Sequence, residues 1–205
     1  MLDHFVYAAP DLAEAVDEIE ARLGVRPASG GRHAGGLTHN ALLSLGEGSY
    51  LEVIAPVPGV ELPSGALPFG LVGLTAPRLA AWAVATDNLE RLIETARAAG
   101  YDPGEVVSGG RDLPGGSRLS WKLALRPQPG GEGVVPFVIQ WTAEPHPSQT
   151  VPAGCRFVSL RGEHPAPDGV RVMLEALAVD LEVAEGAAPR LVATVDTPNG
   201  RLELS

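Results

Sequence analysis

The chain has 205 residues and a formal net charge of −10, with 45% of its residues hydrophobic and 20% charged. That balance is ordinary for a folded globular protein and too apolar for a disordered one. An acidic chain is poorly suited to general nucleic-acid binding, which needs clustered Lys and Arg, and a lone Cys155 excludes a disulfide framework and a thiolate metal cluster.

Lys122 is the one lysine among abundant Arg, Ala, Gly and Pro, which reads as GC-rich bacterial coding. No charged segment leads into an apolar run at the start, and no stretch of 18 apolar residues occurs. The expectation is a cytoplasmic protein without a membrane span.

In chain order, residues 2–9 are apolar and predict a strand. Asp11 is placed to cap a helix, with Glu14 three residues on as in a capping box. Leu12, Val16, Ile19 and Leu23 fall at helical spacing, and Gly24 supplies the stop. A glycine-rich turn with Gly30-Gly31-Arg32 precedes a strand over 38–45, a hairpin at Gly46-Glu47-Gly48 and a strand over 49–55. Residues 57–77 are rich in Pro and Gly and read as a connector. The pattern then repeats: a strand over 79–85, a helix opened by Asp87, a turn over 103–116 holding Gly109-Gly110-Arg111, and strands over 117–126 and 134–142. Each helix reaches its glycine, Gly24 or Gly100, 13 residues after its Asp.

The expected fold class is therefore α+β, with two tandem βαβββ modules at 1–56 and 78–145. Residues 146–205 form a third piece, with a strand near Phe157–Leu160, a helix from about Asp168 to Ala178, and short strands after it. This C-terminal βαββ extension is expected to cover an open sheet edge.

The tandem modules, the opening Leu2-Asp3-His4, and the run from Gly30 through Thr38-His39-Asn40 to Leu42, followed by Tyr50-Leu51-Glu52-Val53-Ile54, resemble the glyoxalase-like domain group. That group lies in the vicinal oxygen chelate (glyoxalase/bleomycin resistance/dioxygenase) superfamily. The resemblance spans the two modules. It implies a cleft between them and a divalent metal ion (Zn, Ni, Fe or Mn) held by the first and last strands of each module. His4 and Glu52 match in the first module. In the second, Ala80 or Trp82 stands where a histidine is expected and Gln140 stands near the expected carboxylate, so the metal site is incomplete.

The residues themselves leave alternatives. Glu52, between Leu51 and Val53, faces either solvent or a cavity. In a cavity, desolvation would raise its pKa and suit it to proton abstraction next to a carbonyl. His39 shares a strand face with Ala41 and Leu43, while Asn40 and Leu42 share the other. His39 is read as a third metal ligand or an acid–base group, or else as a surface imidazole. His33 and Asn40 are candidates for fixing substrate polar groups. Arg32 and Arg111 either capture an anion or cap a repeated turn. Trp82, Trp121 and Trp141 offer the second module an aromatic wall, or serve as core.

The expected function is a metal-assisted lyase or isomerase acting next to a carbonyl, with Glu52 and His39 catalytic. His4, Glu52 and His39 would hold the metal, and Asn40, Trp82, Gln140, Arg32 and His33 would contact the substrate. The alternative is a non-catalytic small-molecule binder of the same fold. The expected partner is a small molecule, with neither nucleic acid nor membrane, and the protein a monomer or homodimer.

Overall fold

The structure, a computed structural model, describes residues 1–46, 48–62, 67–112, 118–126, 128–142 and 144–205. The first half runs β1 (Leu2–Ala8), α1 (Leu12–Leu23), β2 (Ala28–Arg32), β3 (Thr38–Gly46) and β4 (Ser49–Pro56). The second runs β5 (Arg78–Ala85), α2 (Leu89–Ala98), β6 (Glu105–Asp112), β7 (Arg118–Leu125) and β8 (Phe137–Trp141). Together they form one eight-stranded sheet in the order β2-β3-β4-β1-β5-β8-β7-β6. The centre of the sheet is the antiparallel pairing of β1 with β5, the first strand of each half.

The helices form where their caps and stripes predict. Asp11 accepts a hydrogen bond from the Glu14 backbone amide at 3.0 Å, a cap worth about 1 kcal/mol. The chain leaves α1 through Gly24 at φ 75°, a left-handed conformation that a Cβ disfavours. The second helix differs from expectation by one residue: Asn88, not Asp87, caps α2, accepting from the Arg91 amide at 3.0 Å. Both helices pack Ile19, Leu23, Leu89 and Ile93 against Phe5, Leu51, Val53 and Val138 on the convex face of the sheet.

The two Gly-Gly-Arg segments are not turns. They lie inside β2 and β6, the edge strands of the sheet. Glycine's weak strand preference is overridden because each pairs along an extended neighbour, β3 or β7. The expected hairpin joins β3 to β4 between Gly46 and Ser49, and its Glu47 lies outside the described residues.

The extension runs β9 (Arg156–His164), α3 (Pro167–Ala176), β10 (Glu182–Glu185), β11 (Arg190–Thr197) and β12 (Gly200–Leu204). It does not cap an edge. Its strands form a separate sheet, in the order β10-β9-β11-β12. Val170, Leu174, Leu191, Val195 and Leu204 join the convex-face core beside Trp82 and Val84. The concave face is left to a second, smaller apolar cluster that includes Val6, Ala81, Ala83, Phe137 and Ile139. No helix among the described residues is long and apolar enough to cross a membrane.

Candidate functional site

The concave face holds a cavity of about 260 Å³. Its polar end is built by β1, β3 and β4 from His4, Asn40, Tyr50 and Glu52, with His33 from the turn after β2. Strand alternation explains the set, since Tyr50, Glu52 and Ile54 point inward while Leu51 and Val53 enter the convex core. The facing wall is apolar and comes from Trp121, Leu123 and Leu125 of β7 and Phe137, Ile139 and Trp141 of β8. A short turn at Pro68–Gly70, within the stretch read as a connector, adds Phe69.

Asp3 anchors the polar end. The β1–β5 register shifts between Leu2 and His4, and such a bulge re-aims a side chain. Asp3 Oδ1 thereby meets His4 Nδ1 at 2.5 Å, two neighbours that a regular strand would point apart. Asp3 Oδ2 accepts from Trp141 Nε1 at 2.8 Å and contacts His146 Nε2 at 3.2 Å. Asp3 is 1% exposed. Burial alone would raise its pKa, but the hydrogen bonds of His146, His4 and Trp141 and the charge of His4 hold it well below the usual carboxylate range. An ionised Asp3 only accepts, so His4 Nδ1 bears a proton and Nε2 is the ring atom turned toward the cavity. There Nε2 lies 3.9 Å from Glu52 Oε2, with the ring stacked on Tyr50 at 4.7 Å.

Glu52 is the second anchor. Asn40 Nδ2 donates to Glu52 Oε1 at 2.5 Å, and His33 Nε2 lies 3.4 Å from the same oxygen. Asn40 Oδ1 in turn accepts from Arg111 Nη1 at 3.2 Å. The amide orientation follows from this chain, because a guanidinium only donates and a carboxylate only accepts. Burial pushes the Glu52 pKa up, but the His33 hydrogen bond, the charges of His33 and His4 and the Asn40 amide outweigh it and bring it down to about 2. The expected upward shift is reversed: the carboxylate is desolvated among donors instead of among apolar groups. Tyr50, buried between Asp3 and Glu52, is pushed well above its ordinary value by burial and by those two charges, and stays a phenol.

The remaining predicted residues divide by sheet face. His33 and Asn40 line the cavity with His4 and Glu52. His39 does not, because it points with Ala41 and Leu43 to the convex side, where its Nε2 is buried without a hydrogen-bond partner among the described residues. Burial lowers its pKa and keeps it neutral. Trp82 is core, donating from Nε1 to the Val134 carbonyl at 2.8 Å. Gln140 caps α2, its Oε1 accepting from the Leu89 amide and its Nε2 donating to the Asp87 carbonyl, both at 3.0 Å. Arg32 is exposed, whereas its repeat partner Arg111 is buried and joins the polar network.

The second half also shows which residues stand opposite His4 and Glu52. Counting back from the true caps, Asp11 and Asn88, His4 corresponds to Ala81. In the parallel pairs, Val6 faces Glu52 while Ala83 faces Phe137, so Glu52 corresponds to Phe137. Ala80 and Trp82 lie one residue out of register and Gln140 three, and with a period of two an odd offset places a side chain on the wrong face.

A divalent metal fits this donor set poorly. His4 Nε2 and Glu52 Oε2 are open donors on one wall, Glu52 Oε1 is already engaged, and the facing wall offers Phe137, Ile139 and Leu123. Such ions take three or four protein ligands. Among the described residues no group of three or more His, Cys, Asp and Glu side chains is arranged to hold one.

The Gly-Gly-Arg repeat marked Arg111 in the sequence, but nothing local marked His146 or Asp3, whose role depends on a bulge. Among curated proteins none matches the chain. Of solved structures, a hypothetical protein from Staphylococcus aureus aligns at 15% identity over 98% of this chain and 84% of its own, with a TM-score of 0.64. Methylmalonyl-CoA epimerase from Mycobacterium tuberculosis aligns at 19% identity over 70% of this chain and 88% of its own, with a TM-score of 0.44. A variant methylmalonyl-CoA epimerase of Streptomyces coelicolor, in complex with 2-nitronate-propionyl-CoA, aligns at 19% identity over 69% of this chain and 97% of its own, with a TM-score of 0.45. A family model described as a glyoxalase-like domain matches residues 2–178. With its paired half-sheets curled around one cavity, the chain belongs to the glyoxalase-like domain family and has the vicinal oxygen chelate fold.

Proposed function

We propose that the protein is a small-molecule lyase or isomerase that moves a proton next to a carbonyl, with His4 taking the proton. The observation that supports this is the Asp3–His4 contact of 2.5 Å, which engages Nδ1 and turns Nε2 to the cavity, where it would accept the proton. A buried carboxylate behind an imidazole also stabilises the imidazolium formed when Nε2 is protonated. Glu52, held ionised, is a weak base. Its part is to stabilise a proton on His33, 3.4 Å away, which serves the opposite step of proton return. The apolar wall excludes water around a bound carbonyl compound and strengthens these interactions. No step is assigned to a metal, because the facing wall has no donor for one.

The test is deuterium exchange at carbon in D₂O, using a panel of neutral aryl and alkyl ketones. Wild-type protein should catalyse exchange of one or more of them. Asp3→Asn, which permits the wrong tautomer, should lower the rate at least about 100-fold while the fold is retained. Undiminished exchange in Asp3→Asn would remove His4 from the role. The low pKa of Glu52 favours a second reading, a non-catalytic binder; binding without exchange anywhere in the panel would select it.

A further inference from the structure

Glu52 Oε2 faces the cavity with no hydrogen-bond donor on it among the described residues, and His4 Nε2 lies 3.9 Å away. A carboxylate oxygen only accepts, so a hydrogen bond that a ligand makes to Glu52 Oε2 takes its hydrogen from the ligand. The nearest guanidinium, Arg111, is not at the cavity wall. It reaches the carboxylate through Asn40, its Nη1 bonding Asn40 Oδ1 at 3.2 Å while Asn40 Nδ2 bonds Glu52 Oε1 at 2.5 Å. The Glu52 charge is thus matched within the protein, and no Lys or Arg lines the cavity among the described residues. Beyond this polar end the walls are aromatic, with Trp121 and Trp141 at 5.5 Å between ring centroids and Phe69 and Phe137 at 5.7 Å.

From this juxtaposition we infer that the cavity selects uncharged aromatic molecules bearing a hydroxyl, which donates to Glu52 Oε2, and rejects carboxylates and phosphates. A carboxylate head would lie against the ionised Glu52 with no Lys or Arg at the wall to meet it, whereas a hydroxyl donates to Glu52 Oε2 and costs no charge burial. A phosphorylated carrier is excluded by the same wall. The inference rests on the proposed function only in taking this cavity as the ligand site.

Three probes of matched size separate the terms: 2-naphthol, 2-methoxynaphthalene and 2-naphthoate, titrated calorimetrically into the full chain at pH 7. The naphthol should bind at least about 10-fold more tightly than the methoxy compound, the ratio expected for one hydrogen bond to a charged acceptor. The naphthoate should bind at least about 100-fold more weakly than the naphthol. Glu52→Gln keeps an acceptor for Asn40 and removes the charge, so it should shrink the naphthol-to-naphthoate ratio by about 10-fold or more. Leu123→Glu, a charge on the aromatic side, should weaken naphthol and methoxynaphthalene alike and confirm that both occupy this cavity. The inference is overturned if the naphthoate binds as well as the naphthol, if the methoxy compound matches it, or if none of the three binds. Naphthol binding with no ketone exchange would instead leave the inference standing and remove the catalytic reading.

Discussion

Replacing Gly30 by alanine tests how the two ends of the curled sheet are joined. Gly30 is the extra residue of a bulge, since Ser29 pairs with Ala41 and Gly31 with Asn40. A Cβ there would lie 2.1 Å from Arg111 Nη1 and 2.2 Å from Asn40 Oδ1. Both atoms must retreat by about 1 Å or more to reach ordinary contact, which breaks the 3.2 Å bond between them. A hydrogen bond to a charged group is worth about 1.5–3 kcal/mol, and a buried guanidinium left short of a partner adds to the loss. The expected cost is about 3 kcal/mol, and for a chain of this size about 6–12 °C in Tm. Urea denaturation of Gly30→Ala, Arg111→Ala and the double variant measures it. The double variant should cost at least about 1 kcal/mol less than the sum, because the alanine at 30 no longer meets Nη1 once Arg111 is gone. A loss below about 0.5 kcal/mol for Gly30→Ala, or strict additivity, would refute the clamp.

Acid stability should report on Glu52. Its folded pKa of about 2 lies below the ordinary 4.5, so its contribution is fully present above pH 4.5 and is lost as pH falls toward 2. That contribution is on the order of 3 kcal/mol; Glu52→Gln should flatten the slope of stability against pH in that window, and an unchanged slope would refute the assignment. Gln140→Ala should cost about 1 kcal/mol by uncapping α2 and leave naphthol binding intact, whereas a loss of binding would place Gln140 at the cavity after all. Dialysis against EDTA should shift Tm by less than about 1 °C, because a bound ion stabilises by mass action. A larger fall, restored by one divalent metal, would show that His4 and Glu52 do hold an ion.

The helices, the central strands and the pairing of two modules were legible in the sequence because caps, stop glycines and hydrophobic periods are local. Asp11 with Gly24 bounds α1, and the apolar spacing of Leu12, Val16, Ile19 and Leu23 orients it. His4 and Glu52 were legible too, each a polar side chain in an apolar strand. The Gly-Gly-Arg segments were misread as turns because glycine's turn preference is a local signal, while the partner strands that hold these residues extended are remote. His39, Trp82 and Gln140 were assigned to the site from sequence position, and none of them lines the cavity.

The sequence by itself determined the composition of the two half-sites, with titratable residues in the first module and tryptophans in the second. Tertiary structure alone decided which of these residues meet. A bulge at Asp3 turned a neighbour of His4 into its partner. A bulge at Gly30 let Arg111, 71 residues along the chain from Asn40, reach across to it. The physical reason is the two-residue period of a strand: one bulge, or an error of one in register, moves a side chain to the other face, and no local preference records it.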